Sequence, residues 1–402
     1  MPRNIRIVLK GVVKPLTLYA SVLIATVGIG TALYLSILSP NFSLPSPTGL
    51  YKVGTEVRYV VDENRGDPFS DDPNARRELM VQVWYPADQD SRGPVAPYRD
   101  KRATVPGETY LSLVDTHSIV GVPVSGMQAR YPLLLYSPPW DGVRGDNTVQ
   151  AEELASHGYI VVGMDHPYGS EITVFPDGRI IHSRLVLGSP FLSAAEEEKF
   201  VRTVEREVRI RADDATSVLA ALERWNAEDP RGTLTGRIDL DRIGIFGFSL
   251  GGAVAAQACW LDRRFKAGID MDGLIAAESL RDGPGAPFLF LLSGSQVEAE
   301  TNRLIVGSAE YRELEFDRRQ LARMRELAKS GGGQVVQLDG MRHFNFSDRQ
   351  FYAPWPSAGQ GLAARLLNRM RLRPNFERAE KSARMINQHL FAFFEEHVRR
   401  LK

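Results

Sequence analysis

Five residues, Gly247-Phe248-Ser249-Leu250-Gly251, constrain this chain more than any other stretch, because of what flanks them. Before them, Arg242-Ile243-Gly244-Ile245-Phe246 is short and apolar, the pattern of a strand buried on both faces. After them, Leu250 to Leu261 carries no charge and is rich in alanine and glycine, which suits a helix pressed close to its neighbours. Glycine on both sides of the serine lets strand and helix meet in a sharp turn without a Cβ clash, and that turn lifts the hydroxyl clear of the backbone. The pentapeptide therefore predicts strand, turn and helix, with Ser249 at the tip.

The surrounding pattern agrees. Glu56–Val61 and Glu78–Pro86 read as two strands that open a sheet in antiparallel fashion. From Tyr131 onward, apolar runs alternate with helical periodicity: Tyr131–Tyr136, helix Asn147–His157, Tyr159–Met164, helix Ser193–Trp225, the Ser249 strand and helix, then Lys266–Asp272 and Pro287–Leu292. A helix over Ala309–Lys329, a strand at Gln334–Leu338 and a last amphipathic helix, Ala379–Leu401, complete the series. Such alternation predicts an α/β fold with a mostly parallel central sheet and helices on both faces. A polar hairpin turning at Pro176-Asp177-Gly178 interrupts it after the second parallel strand.

A serine hydroxyl becomes a useful nucleophile only when a histidine takes its proton and a carboxylate orients that histidine. In folds that carry Gly-x-Ser-x-Gly on a strand-to-helix turn, the α/β-hydrolases, the acid and then the histidine follow the serine, each at the end of a strand. Of seven histidines, three lie after Ser249. His389 and His397 fall in the last helix, whereas His343 follows the last strand, so His343 is the expected base. Asp272 ends the first strand after the serine and is the expected acid; Asp270, two residues earlier, reads as a buried supporting group. Glu298 or Glu300, after the next strand, is the alternative acid.

With Asp241–Gly252, Gly268–Asp272, Ala155-Ser156-His157-Gly158-Tyr159 and Gly340–Asp348, the chain resembles the plasma-type platelet-activating factor acetylhydrolases and their bacterial relatives, from about Gly49 to the C-terminus. The resemblance implies a serine carboxylic ester hydrolase that cleaves short-chain or phospholipid-like acyl esters through an acyl-enzyme, with Ser249, Asp272 and His343 as its triad and no cofactor or metal. Two departures stand out. Phe248 occupies a position where such proteins commonly carry histidine, and the loop expected to bind the oxyanion reads Ser137-Pro138-Pro139-Trp140-Asp141-Gly142 instead of a His-Gly-x-Gly sequence. Because proline has no N–H, the alignment leaves the amides of Trp140 and Leu250 as the oxyanion donors. A general esterase, lipase or amidase of the same fold is the alternative; a non-catalytic binding protein is the alternative from another class.

The N-terminus carries a separate message. Pro15–Leu38 is uncharged and long enough to span a bilayer, four basic residues (Arg3, Arg6, Lys10, Lys14) precede it, and no basic residue follows until Lys52. The expected organisation is a basic segment 1–14, a transmembrane signal-anchor helix 15–38, a Pro/Ser-rich linker 39–50 and a catalytic domain 51–402 outside the cytoplasm, with cleavage and secretion as the alternative. Gly361–Pro374, basic and amphipathic, is a candidate membrane-surface segment, with Tyr352 and Trp355 at its boundary. Lys plus Arg equals Asp plus Glu at 49 each, which gives no field to attract nucleic acid, so the expected partners are a small ester or phospholipid and the membrane. One cysteine, Cys259, excludes an intrachain disulfide.

Overall fold

Strands that are apolar on every residue leave no face for water, so they pair into a sheet covered on both sides. The computed structural model describes Gly28 and residues 43–105, 108–186, 191–294, 307–331, 333–352 and 376–400. Its strands, in chain order, are β1 (Lys52–Gly66), β2 (Arg76–Ala87), β3 (Val95–Pro97), β4 (Asp115–Val120), β5 (Tyr131–Ser137), β6 (Ile160–Asp165), β7 (Ile172–Val174), β8 (Ile180–His182), β9 (Ile238–Phe248), β10 (Phe265–Met271), β11 (Phe288–Ser293) and β12 (Gln334–Leu338). The helices are α1 (Thr148–Ser156), α2 (Ala194–Ala227), α3 (Leu250–Leu261), α4 (Ala277–Asp282), α5 (Ala309–Gly331) and α6 (Phe376–Phe394).

Ten strands form one sheet in the order β12-β11-β10-β9-β5-β6-β2-β1-β4-β3, and β7 and β8 pair separately. Every pair from β12 to β6 is parallel; β2 joins β6, and β1 joins β2, antiparallel. Successive side chains point to opposite faces. Leu133, Leu135, Ile243 and Ile245 thus meet α2, α3 and α5 in one core, while Leu134, Tyr136, Phe246 and Phe248 meet α1 and α6 in the other. On α6, Ile386, Leu390, Phe393 and Phe394 are buried against the sheet, as their helical spacing predicts.

The short strands β3, at the edge, and β4, beside it, carry too little apolar pattern to be read beforehand. Residues 43–50, expected as linker, lie against the body: Leu44 is buried beside Tyr98 and Leu111, and the Thr48 amide donates to Glu153 at 2.8 Å. Tyr352 corrects an expectation. It does not sit at a lipid boundary but is buried in that same cluster, its ring 6.3 Å from Tyr98. The expected span 15–38 (apart from Gly28), Trp355, segment 361–374 and the alternative acids Glu298 and Glu300 lie outside the described residues. Among the described residues no helix is long and apolar enough to cross a membrane.

Candidate active site

The parallel strands β9, β10, β11 and β12 all end at one edge of the sheet, where the crevice of an open α/β sheet forms. Ser249 follows β9 in a strained conformation, φ 56° and ψ −122°, and becomes the N-cap of α3. Its amide donates to the Met271 carbonyl of β10 at 2.9 Å, which fixes the turn to the neighbouring strand. Both glycines of the pentapeptide are required by close approach. A Cβ on Gly247 would fall 1.9 Å from the Gly251 carbonyl oxygen, and one on Gly251 would fall 2.0 Å from that of Ser137.

Asp272 follows β10, also with positive φ, and is fully shielded from solvent. One carboxylate oxygen accepts the Ser293 amide of β11 at 2.6 Å, and the other accepts Nδ1–H of His343 at 2.8 Å. On its other side His343 presents Nε2 to the Ser249 hydroxyl at 3.1 Å. The imidazole rests on the Phe248 ring, centroid to centroid 4.8 Å, which gives the residue before the serine a packing role. The turn that carries His343 is held from behind: the Asn147 side chain donates to the Phe346 carbonyl at 2.7 Å, and the Asp348 amide to the Asp146 carbonyl at 3.0 Å. Sequence reasoning named Ser249, Asp272 and His343, and the fold brings the three together. His389 and His397 are half-buried on the last helical stretch, the His397 ring tilted against that of Phe393 with centroids 4.5 Å apart.

Asp270 takes a different place. It is fully buried beneath the turn, accepts the Gly273 amide at 2.8 Å, and a Cβ on Gly252 would meet it at 1.7 Å. Burial, reinforced by the neighbouring Asp272 charge, pushes its carboxyl well above the usual range. Trp140 and Leu250, the expected oxyanion donors, both line the crevice with Ser249. Leu250 opens α3, in whose first turn amides have no acceptor within the helix.

A cavity of about 400 Å³ adjoins Ser249 and His343. Its wall includes Phe191, Phe200 and Phe316, whose ring centroids lie 5.5 to 6.0 Å apart, together with the carboxylates Glu313 and Asp317 from α5. Burial, with the nearby charges of Glu313 and Asp272, raises Asp317 to about 6. This wall is not legible in the sequence, where α5 reads as an ordinary charged helix. Also missed was a buried chain in which the Ser137 hydroxyl donates to His166 Nε2 at 3.1 Å and His166 Nδ1–H to Asp214 at 2.9 Å. Its signal was present in α2, where Glu207, Arg211 and Asp214 interrupt an otherwise apolar stripe. Burial keeps His166 neutral by pushing it down to about 4.

A crevice at the carboxyl ends of parallel strands, entered by a strained serine turn, defines the α/β-hydrolase class. The chain belongs to the family described as platelet-activating factor acetylhydrolase, isoform II, whose sequence profile matches residues 36–399. Among relatives, a probable 1-alkyl-2-acetylglycerophosphocholine esterase of Arthroderma benhamiae is 25% identical over 62% of this chain and 64% of its own. The platelet-activating factor acetylhydrolase of Cavia porcellus is 24% identical over 55% of this chain and 49% of its own. The chain thus spans between about half and just under two-thirds of the length of these two relatives. Among solved structures, a ferulic acid esterase from Streptomyces cinnamoneus superposes with a TM-score of 0.65 at 26% identity, over 90% of this chain and 94% of the other.

Proposed function

We propose that this protein is a serine carboxylic ester hydrolase acting on platelet-activating-factor-type or other short-chain acyl esters. The observation that carries the reading is the unbroken chain Ser249 Oγ, His343, Asp272, at 3.1 and 2.8 Å, opening into a partly apolar cavity. Ser249 Oγ attacks the ester carbonyl while His343 Nε2 takes its proton, and Asp272 stabilises the resulting imidazolium. The oxygen that gains charge is received by the amides of Leu250 and Trp140. Collapse expels the alcohol, which takes its proton from His343; water then attacks the acyl-serine by the same route and frees the acid. Membership of the family and the esterase neighbour support the ester over the amide. The cavity supports a cationic head group: Glu313 and Asp317 face it, and no lysine or arginine is among the described residues that line it.

The test is a fluorophosphonate label on Ser249 together with a panel of matched esters and amides. Labelling with preferential ester turnover is expected; amide preference would move the reading to an amidase, and neither labelling nor turnover to a binding protein. For the chain as a whole, a signal anchor at 15–38 with residues 51–402 as an extracytoplasmic domain is supported by the basic flank before the span. Protease digestion of intact spheroplasts should remove the domain without lysis. Secretion after cleavage would instead leave it in the medium.

A further inference from the structure

We propose that Arg211 of α2 is the positioning residue of the oxyanion loop, turning the Trp140 amide toward Ser249. The inference rests on the proposed ester hydrolysis. Pro138 and Pro139 have no N–H, so the loop cannot be fixed by amides at those two positions. It is fixed through its carbonyls. Arg211 Nη1 donates to the Pro138 oxygen at 3.3 Å and to the Pro139 oxygen at 3.1 Å, and Nη2 donates to the Gly169 oxygen at 2.7 Å. The Gly142 amide adds a second donor to Pro139, at 3.0 Å.

The Pro139 carbonyl and the Trp140 N–H belong to one planar trans peptide unit, in which C=O and N–H point in opposite directions. Holding the carbonyl therefore aims the amide. Arg211 is fully buried and is not part of the cavity wall, whereas Trp140 lines the cavity beside Ser249 and Leu250. With the oxygen drawn to the guanidinium on the interior side, the N–H is directed to the crevice side, where charge develops on the substrate oxygen.

A buried guanidinium is an expensive way to hold a loop, since it must be taken out of water. Here its charge is faced by Glu207 at 3.8 Å and its Nε has no hydrogen-bond acceptor, so simple stabilisation accounts poorly for its presence. What arginine alone supplies is a rigid fork of donors able to bind carbonyls from two loops at once. The second loop is built to receive it: a Cβ on Gly169 would come within 2.8 Å of Nη2. The buried Ser137-His166-Asp214 chain braces the strand end from which the oxyanion loop springs, so Arg211 controls the orientation of its next two peptides.

Arg211→Lys and Arg211→Met, each normalised to active sites titrated with a fluorophosphonate, test the role. Losing the aim of one oxyanion donor should lower kcat on the order of 10²-fold. KM should stay nearly unchanged, and affinity for a trifluoromethyl ketone, whose adduct carries the oxyanion, should fall in proportion to kcat. Unchanged kcat per titrated site and unchanged ketone affinity would overturn the proposal, as would a loss confined to thermal stability. Should neither variant fold, the wild-type ketone complex decides: a Trp140 N–H turned away from the ketone oxygen overturns it, and one bonded to that oxygen, with Pro139 still on Arg211, supports it. A wild-type protein that neither labels nor hydrolyses esters removes the functional reading itself, a result distinct from all of these.

Discussion

Ser249 and Asp272 stand just beyond the ends of adjacent parallel strands with nearly the same unusual backbone, φ 56° and 55°. The Ser249 amide is bonded to the carbonyl of Met271, immediately before Asp272. The two turns are thus one unit, and His343 closes it from the far side of β11. Strain of this kind persists only where the surroundings over-determine it, and here β-sheet register and close glycine packing do so.

Replacing Ser249 or His343 by alanine should reduce ester turnover on the order of 10⁶-fold, the scale of removing a member of a cooperating triad. Both side chains lie at the crevice surface, so folding should survive. The measurement is single-turnover hydrolysis with protein purified away from host esterases. Residual rates within tenfold of wild type would exclude the assignment.

The two aspartates should separate sharply. Asp272→Asn keeps the shape but can present an N–H where His343 needs an acceptor, and a loss of about 10⁴-fold in kcat is the scale for such a change. Asp270 holds the Gly273 amide beneath the turn, while His343 is bonded to Asp272, so Asp270→Asn should leave kcat within about tenfold of wild type. Rates for both folded variants, compared at neutral pH, check this; the reverse ranking moves the acid to Asp270.

How much of this was legible beforehand follows from what each residue depends on. Ser249, Asp272 and His343 are legible because the first two directly follow strand ends and the third lies on the loop after the last strand, and strand ends are written in local apolar runs such as Ile243–Phe246 and Gln334–Leu338. Helix α3 and strand β12 have the bounds their sequences predict. Arg211, Asp317 and the aromatic wall were not found, because their roles depend on which helix meets which loop across the sheet, and that is set by topology. The burial of Tyr352 was misread for the same reason: an aromatic residue before a basic stretch looks like a lipid boundary until Leu44 and Tyr98 are seen packed beside it.

Gly251→Ala should damage both stability and catalysis. Its methyl group would fall 2.0 Å from the Ser137 carbonyl oxygen and 2.8 Å from that of Pro138, and neither backbone atom can yield without moving the oxyanion loop. Overpacking of this kind costs about 1–3 kcal/mol. Thermal unfolding and kcat should therefore both fall, while Gly236→Ala, with open space but a positive φ of 70°, should lower stability alone. A Gly251 variant of full activity would show that the loop is not held against α3.

Selectivity for a cationic head group should be lost in acid. Asp317 lies in the cavity wall and is raised to about 6 by burial and by its acidic neighbours Glu313 and Asp272. Above that pH it is ionised and attracts a quaternary ammonium group; as pH falls through 6 it takes up a proton and its share of the attraction goes. The aromatic rings of Phe191, Phe200 and Phe316 remain and provide the part of the affinity that does not titrate. Effects of acid on the chemical step fall on both esters alike and cancel in a ratio. The quantity to measure is kcat/KM for a choline-bearing ester divided by that for its neutral 3,3-dimethylbutyl isostere, between pH 8 and pH 5. The ratio should fall by roughly tenfold, equivalent to about 1.4 kcal/mol, with a midpoint near or somewhat below 6, because a bound cation favours the ionised acid. Asp317→Asn should hold the ratio at its low value across the range. A ratio that is flat in the wild-type protein, or one that still falls in Asp317→Asn, would remove the carboxylate from head-group recognition and leave the cavity to its aromatic wall.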